Sequence, residues 1–436
     1  MSDIKTNVYD FSGSPIQTKV SKVVAGNTTS VVTTIGYDPM RRINSIDQSY
    51  NGATAIRIAS YVYNELGQLV DKKLHSTNGG STYMQSVDYR YTIRGELLSI
   101  NNSKLSLDNG SGSGYTNDDS NDLFGMQFLY DSADTNIGNT AYYNGNLSAI
   151  KWMSKDGSGV SSVERSYKYT YDAVNRYKGE SYAERATAST GTFGSNVGGF
   201  DENVGLYDSN GNIQTLTRKS STPGTPSIST IDNLSYIYDT ANLNQLKSVT
   251  DASGNAGGFK GGTGNYAYDA VGNLTADPYK GLGITYNDLN KTNVITVTAG
   301  TNQHIDYTYD ASGSVIRKQL YYNTNPVVTT DYIDGFVYIG NSLSYFPMPE
   351  GRVRNTGSSL KPEYIIKDQQ GNARISFEES TTAGVPVVRQ ENSYYGMGMT
   401  ITNTMTLPTT PNKNLYNGGT ANGRMITVVR RITTKH

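Results

Sequence analysis

The chain has 436 residues, of which 36% are hydrophobic, 10% aromatic and 17% charged, with a formal net charge of −1 and no cysteine. The near-zero charge argues against broad electrostatic attraction to nucleic acid or anionic membranes. The absence of cysteine excludes disulfides, thiolate metal sites and cysteine nucleophiles. The sequence contains no apolar run long enough for a membrane helix and no signal-peptide pattern at its start, MSDIKTNVYDFSGSP.

A Tyr-Asp pair recurs along the chain and marks a repeat. The main repeat positions are Tyr9-Asp10, Tyr37-Asp38, Tyr63 with Gly67, Tyr171-Asp172, Tyr207-Asp208 with Gly211, Tyr238-Asp239, Tyr268-Asp269 with Gly272, and Tyr309-Asp310 with Gly313. Further copies start at Tyr130, at Tyr91 with Thr in the second position and, with Asn in the second position, at Tyr143 and Tyr286. Self-similarity at a period of tens of residues predicts a repeat architecture.

Each copy predicts one β-hairpin. In NYAYDAVGNLT, around Tyr268, alternating polar and apolar residues indicate a strand, and Asp followed by Gly indicates a turn. A lone hairpin is marginal in water, so neighbouring hairpins must pair edge to edge. The sequence therefore predicts an all-β fold, in which repeated hairpins form one long twisted sheet that spirals into part of a hollow, barrel-like shell.

Four less regular stretches interrupt the hairpins, and no segment has the period of a helix. The stretches 101–125, 186–205, 220–230 and 251–265 are rich in Gly, Ser, Thr, Asn and Asp. Their composition, between phrases typical of strands, predicts long exposed loops.

The C-terminal part carries longer phrases in a fixed order. These are FVYIGNSLSYFPMPEGRVRN, PEYIIKDQQGNARISFEES, SYYGMGMT and NKNLYNGG, all between residues 336 and 419. With the Tyr-Asp repeats, they make the chain resemble bacterial RHS proteins and the related teneurins. The matching core-motif residues are Glu350, Gly351, Arg352, Asp368, Gly371, Asn372 and Arg374.

The RHS resemblance implies a division of the chain and a hollow shell. It suggests a Tyr-Asp hairpin array at 1–335, an RHS-core-like segment at 336–419 and a divergent basic tail at 420–436. The tail departs from the family pattern, since it lacks both the Asp-Pro autoproteolysis phrase and a toxin domain. We hypothesise that a frameshift or truncation produced this tail.

Catalytic and metal-binding patterns are weak. His304 and Asp306 would lie on one face of a strand, but a polar strand pair explains them better. Asp118, Asp119 and Asp122 cluster oxygen ligands without the spacing of a known calcium loop, and a solvated loop is the better interpretation. The glycine-rich run at 261–265 lacks the lysine and helix of a phosphate-binding loop.

Two functions remain open at this stage. The resemblance favours a non-enzymatic, secreted or cell-surface shell that encapsulates, protects and helps deliver a C-terminal toxin, with no cofactor. The expected partners are that cargo, and other RHS segments or copies of the chain through open sheet edges. The alternative is a cell-surface adhesin that binds carbohydrate or protein through exposed aromatic residues.

Overall fold

A computed structural model describes residues 2–106, 121–156, 163–186, 191–222, 227–300, 302–323, 325–401, 411–413 and 415–416. Over these ranges the chain is all β, as the sequence predicts, with 55% of residues in strands and 0% in helices. The described ranges accordingly contain no helix that could cross a membrane. The hydrogen-bonded strands form sheets of 16, 13 and two strands.

The first sheet takes its 16 strands in chain order. They are β1 Ser2–Tyr9, β2 Pro15–Val24, β3 Asn27–Tyr37, β4 Ile43–Tyr50, β5 Ile56–Tyr63, β6 Leu69–Ser76, β7 Gln85–Tyr91, β8 Leu97–Ile100, β9 Phe124–Leu129, β10 Ala149–Ser154, β11 Glu164–Tyr171, β12 Tyr177–Arg185, β13 Glu202–Tyr207, β14 Ile213–Ser221, β15 Ile228–Tyr238 and β16 Leu246–Asp251.

The second sheet continues in the same way with 13 strands. They are β17 Ala267–Tyr268, β18 Leu274–Asp277, β19 Leu282–Tyr286, β20 Thr292–Val297, β21 Gln303–Tyr309, β22 Val315–Tyr322, β23 Asn325–Ile333, β24 Phe336–Ile339, β25 Ser342–Met348, β26 Gly351–Asn355, β27 Leu360–Lys367, β28 Ala373–Glu379 and β29 Pro386–Glu391. A short pair follows, formed by β30 Ser393–Tyr394 and β31 Thr400–Ile401.

A bulge sits at the motif tyrosine in hairpin after hairpin. In β21 and β22, Thr308 pairs with Arg317, and the register then shifts before Tyr309 pairs with Val315. The same shift precedes Tyr9, Tyr37, Tyr63, Tyr91, Tyr171, Tyr207, Tyr238, Tyr268 and Tyr286. Bulges increase the right-handed twist of a strand pair. The repeated bulge therefore gives a physical reason for the strip to coil rather than lie flat.

The second sheet folds back over the first, and one apolar core lies between them. The ring of Tyr50 on β4 lies 6.0 Å from that of Phe346 on β25. Farther along the strip, Phe200 lies 6.3 Å from Tyr395. The core cluster accordingly draws buried residues from both sheets. Residues far apart in sequence thus supply the burial that a single hairpin lacks.

The prediction of long exposed loops is wrong for the described parts of the stretches 101–125 and 186–205, whereas no residue of the stretch 251–265 is buried. Phe193 and Phe200, in the stretch 186–205, are buried, and so are Leu105 and Leu123, in the stretch 101–125. Phe124 already belongs to β9. Composition predicted solvent exposure, but these apolar side chains fill space beside the stacked sheets.

The predicted boundary at residue 335 falls inside the second sheet. Strands β23 and β24 pair across it, with Thr330 opposite Ile339. The division into a repeat array and a core segment remains a prediction, and the tail at 420–436 lies outside the described residues.

Candidate functional site

Each motif turn is organised by its acidic or amide residue. The Asp269 Oδ1 atom accepts the backbone N–H groups of Val271 at 3.1 Å and Asn273 at 2.8 Å. The Gly272 N–H donates to the Asp269 carbonyl at 3.1 Å, and Gly272 has a φ of 92° that favours glycine. Hydrogen bonds from the Asn273 side chain and from turn amides lower the pKa of Asp269.

The same carboxylate or amide geometry recurs along one rim of the strip. Side-chain oxygens of Asp10, Asp38, Asp172, Asp208, Asp239, Asp310 and Asp368, and of the asparagines Asn64 and Asn287, accept turn N–H groups. The motif glycines Gly67, Gly211, Gly313 and Gly371 have positive φ angles, as Gly272 does. The side-chain oxygen of the acidic or amide residue therefore accepts hydrogen bonds from the local backbone in each of these turns.

The motif tyrosines join each hairpin to the one before it. Among the described residues, ten of them donate their hydroxyl to a backbone carbonyl of the preceding hairpin, at 2.5–3.1 Å. The donor–acceptor pairs are Tyr37–Pro15, Tyr63–Ile43, Tyr91–Leu69, Tyr130–Leu97, Tyr171–Leu147, Tyr207–Tyr177, Tyr238–Ile213, Tyr268–Leu246, Tyr286–Leu274 and Tyr309–Thr292.

We call this series of tyrosine hydrogen bonds the tyrosine ladder, and the position of its acceptor follows a rule. In nine of these ten pairs the accepting carbonyl belongs to the first residue of the strand after the preceding turn, Leu147 being the exception. Packing of the tyrosine rings across neighbouring strands does not by itself require this hydroxyl bond. The ladder makes neighbouring repeats depend on each other, as in other repeat proteins.

Glu350, of the Glu-Gly-Arg phrase, ties the second sheet to the first. Its carboxylate accepts the Tyr61 hydroxyl at 2.7 Å and the Lys72 ammonium at 2.8 Å. Burial alone would lower the pKa of Lys72, but Tyr89 and Glu350 raise it overall, so the amine stays charged. A largely buried ion pair therefore fixes strands β5 and β6 against the turn after β25.

The other two residues of this phrase serve the second sheet itself. A Cβ atom at Gly351 would lie 2.1 Å from the Glu363 carbonyl oxygen, so a side chain there would force β26 and β27 apart. The Arg352 Nε atom donates to Glu363 at 2.8 Å. The phrase thus combines one inter-sheet contact with two contacts that seat β26 beside β27.

Arg374, which follows the Asp368–Asn372 turn, is buried between aromatic rings. Its guanidinium carbon lies 5.2 Å from the Trp152 ring, 5.7 Å from Phe124 and 5.6 Å from Tyr394. Phe124 and Trp152 belong to the first sheet, so the arginine makes a cation–π contact across the core. The Asp368 Oδ2 atom lies 3.9 Å from the Arg374 Nη1 atom.

A third contact lies at the end of the described strip. The N–H groups of Gly396 and Met397 donate to the carboxylates of Glu180, at 2.7 Å, and Glu202, at 2.9 Å. The Tyr395 hydroxyl donates to the Lys219 carbonyl at 2.7 Å. Burial and the nearby Glu202 raise the pKa of Glu180 well above its ordinary value.

Comparison with solved structures adds the decisive observation. The chain is similar to the crystal structure of TcdB2-TccC3-Cdc42, with a TM-score of 0.55, 11% identity, and coverage of 96% of this chain and 21% of that one. A second match, TcdB2-TccC3-TEV, has a TM-score of 0.53, 14% identity and the same coverages. The chain has the fold of an RHS-repeat shell. No protein-family description and no curated protein sequence matches it.

Within this RHS fold, only one of the two partners in each of these three contacts belongs to a sequence motif. The phrases around Glu350, Arg374 and Tyr395 resemble the RHS core, but their partners carry no motif. Lys72, Trp152 and Glu180, for example, lie in ordinary strands of the first sheet. The sequence offers no signal for them, because pairing across the core depends on how the strip coils.

The weak chemical candidates do not assemble into a reactive site. The His304 ring stacks on Tyr321, with centroids 4.4 Å apart, and its Nε2 atom lies 3.7 Å from Asp306 Oδ1. Asp122 is buried, whereas Asp118 and Asp119 lie outside the described residues. Within the described ranges of the chain, no three His, Cys, Asp or Glu residues are grouped so that they could hold a metal ion.

The sequence did not predict the contacts of His75. The Nδ1 atom of His75 on β6 lies 3.1 Å from the Tyr364 hydroxyl, and its Nε2 atom lies 3.2 Å from Glu379 Oε1. Burial lowers the pKa of His75. The residue is therefore a further inter-sheet contact, between β6 and strands β27 and β28.

Proposed function

We propose that the chain is a non-enzymatic segment of an RHS-type shell wall that encapsulates and protects a C-terminal toxin cargo and helps deliver it. The observation that carries this proposal is the return of the strip onto itself. The Lys22 ammonium lies 2.6 Å from the Asp334 carboxylate, 312 positions along the chain. A strip held in this way forms a wall, and a wall can exclude proteases from what lies behind it.

The proposed mechanism is physical and requires no covalent step. Paired strands leave few open edges, the bulges set the curvature, and the inter-sheet contacts hold the layers together. The expected partner is a polypeptide cargo, and the net charge of −1 offers no attraction for nucleic acid. The fold shared with the TcdB2-TccC3 structures supports a shell-like role and a secreted or cell-surface location.

A protease-protection assay tests the proposal. A poorly folded reporter polypeptide is fused to the C-terminus of the full chain and exposed to a broad-specificity protease. We expect the fused reporter to be cleaved about tenfold more slowly than the free reporter, because cleavage follows the accessible population. Equal cleavage rates would contradict the shell role.

Two matched variants make this assay specific. Phe377 is fully buried in the inter-sheet core, whereas Ile316 is 41% exposed on the strip. Phe377→Ala should open the wall and remove the protection, and Ile316→Ala should leave it unchanged. Protection that survives Phe377→Ala would mean that the reporter is shielded by something other than the closed strip.

The alternative, a binding module, has one structural feature in its favour. A groove of about 710 Å³ lies between the turns 242–246 and 268–272. Amide side chains line it beside Leu243 and Val271, which are 58% and 70% exposed. Saturable binding on a glycan array that Val271→Asp removes would favour this function over the shell.

A further inference from the structure

His75, near the end of β6, is a titratable side chain buried between the two sheets. It is 2% exposed, and its φ of 57° lies in the left-handed region that residues other than glycine seldom adopt. Its ring packs edge to face against the fully buried ring of Tyr364 on β27, with centroids 5.6 Å apart. An uncommon backbone conformation persists only where surrounding contacts hold it, and here those contacts come from the opposite sheet.

The two polar neighbours of the imidazole fit its neutral form. The Nε2 atom faces the Glu379 carboxylate at 3.2 Å, so this nitrogen carries the proton. The Nδ1 atom is then an acceptor, and the Tyr364 hydroxyl donates to it at 3.1 Å. Burial raises the pKa of Tyr364, so the hydroxyl keeps its proton. A second proton on the ring would set an N–H group at Nδ1 against this O–H group, and the hydroxyl would lose its acceptor.

The carboxylate of Glu379 compensates only in part for a positive charge on the buried ring. Its side chain is 27% exposed, so water screens its charge. Burial accordingly lowers the pKa of His75 by more than Glu379 raises it. The protonated ring would therefore be less stable in the closed junction than in water.

Most of the other charged groups on the elements around His75 are held in ion pairs. These pairs are Arg57 with Asp47, Lys72 with Glu350, Lys73 with Asp71, and Arg354 with both Glu363 and Glu378. Strand β7 adds Arg90 and Asp88, the latter opposite Asp71 in the sheet. Glu379 is the group among them whose charge acts on the pKa of His75.

We propose that His75 makes the inter-sheet junction sensitive to acid, because a second proton on its imidazole opens the contact between β6 and strands β27 and β28. In the open contact the ring meets water and regains its ordinary pKa of 6.5, which the closed contact lowers. The closed form is therefore fully favoured above this value and becomes less favoured as pH falls toward the lower, closed-state pKa. The inference rests on the proposed wall role for its consequence, since a junction that opens in acid would expose the cargo.

Hydrogen exchange of the full chain measures the opening directly and needs no cargo. After correction for the intrinsic rate at each pH, the amides of residues 74–76 and 364–366 should exchange faster at about pH 5.5 than at about pH 7.5. The opening equilibrium should rise by up to about tenfold per pH unit within this window, because opening binds one proton. The amides of β18 to β22, in the part of the strip without His75, should show no such change.

A substitution of His75 removes the titrating group. In His75→Asn the new side chain tolerates a positive φ, can accept the Tyr364 hydroxyl and does not titrate. We expect this variant to lose the pH dependence of exchange at β6 and β27. The matched control is His304→Gln, which alters a histidine on β21 and should keep the pH dependence.

Two further variants keep His75 and test the direction of each contact. Glu379→Gln removes the charge that raises the pKa of His75, so that pKa should fall further and the acid effect should grow. Tyr364→Phe removes the donor to Nδ1, so the pKa should rise toward 6.5 and the acid effect should shrink. An NMR titration of the histidine rings measures both shifts, with the His75 signal assigned by its absence from His75→Asn.

The outcomes separate this inference from the shell proposal. A His75 ring that titrates at or above 6.5, an acid effect that persists in His75→Asn, or shifts of the same sign in Glu379→Gln and Tyr364→Phe would each overturn the acid-sensitive junction. Protection of the fused reporter at neutral pH does not depend on any of these results. Equal cleavage of free and fused reporter at neutral pH would overturn the shell role and leave the exchange result unchanged.

Discussion

The inter-sheet junction and the single-sheet arc are built from the same repeat but stabilised differently. In the junction, buried residues of both sheets share one core, with Trp152, Tyr364 and Phe377 almost fully buried. In the arc, from β18 to β22, a small cluster of buried residues such as Ile295 and Ile305 comes from consecutive strands of one sheet. The comparison teaches that hairpin formation is local, whereas stability depends on whether a second layer covers the hairpin.

The largest effect should come from emptying the junction core. Phe377 is fully buried and stacks on Tyr364 with centroids 5.4 Å apart. Phe377→Ala should lower the free energy of unfolding by about 3–5 kcal/mol, because a large cavity would remain between two layers. Ile305→Ala in the arc should cost about 2 kcal/mol, since one layer can relax more easily. Denaturant unfolding of both variants measures the difference. Equal losses in the free energy of unfolding would contradict the proposed difference between junction and arc.

The next effect concerns ion pairs. Glu350→Ala would leave the Lys72 ammonium, which is largely buried, without its carboxylate, at a cost of about 3 kcal/mol. In the arc, Arg317 is 50% exposed in its pair with Asp331, so Arg317→Ala should cost about 0.5 kcal/mol or less. Thermal unfolding at low and high salt tests this. If the stability loss of Glu350→Ala were as small as that of Arg317→Ala and depended on salt, the two ion pairs would be energetically equivalent. That result would contradict the predicted difference between junction and arc.

The tyrosine ladder should contribute a smaller and uniform amount. Tyr309→Phe in the arc removes the bond to the Thr292 carbonyl and should cost about 1 kcal/mol. Tyr63→Phe, near the junction, removes the equivalent bond to Ile43 and should cost the same. Tyr9→Phe provides the control, because its hydroxyl meets no carbonyl in the described chain. A loss at Tyr9 as large as at Tyr309 would refute the ladder as the cause.

The smallest effect should depend on pH, being present at neutral pH and lost in acid. The pKa of Asp269 is lowered in the folded turn, so its contribution to stability is present above its unfolded pKa. That contribution is lost as pH falls through the folded value, when the carboxylate protonates. Asp269→Asn should therefore be slightly less stable than the unmodified chain at pH 7 and equal to it in strong acid.

The measurement is a series of melting temperatures from neutral pH down to strong acid. Asn287 occupies the same turn position as Asp269, and its side-chain oxygen accepts N–H groups in the same way. A hairpin that carries asparagine naturally should show no such pH dependence. A melting-temperature difference for Asp269→Asn that stays constant with pH would contradict the electrostatic origin.

The sequence by itself determined the hairpin array. Alternating residues before Tyr268 and the Asp269–Gly272 turn act over a few residues, so they predict the same local structure wherever the strip lies. The all-β fold and the RHS resemblance followed from repetition of that local pattern. The bulge at each tyrosine was not predicted, because a register shift depends on the partner strand.

The tertiary structure decided which residues meet across the core. The pairing of Glu350 with Lys72, the contact of Arg374 with the Trp152 ring, and the carboxylates that hold Gly396 and Met397 join positions more than a hundred residues apart. Such contacts follow from the curvature accumulated over many hairpins. No local pattern encodes that sum, and for this reason the partners of the RHS phrases became visible only in the folded strip.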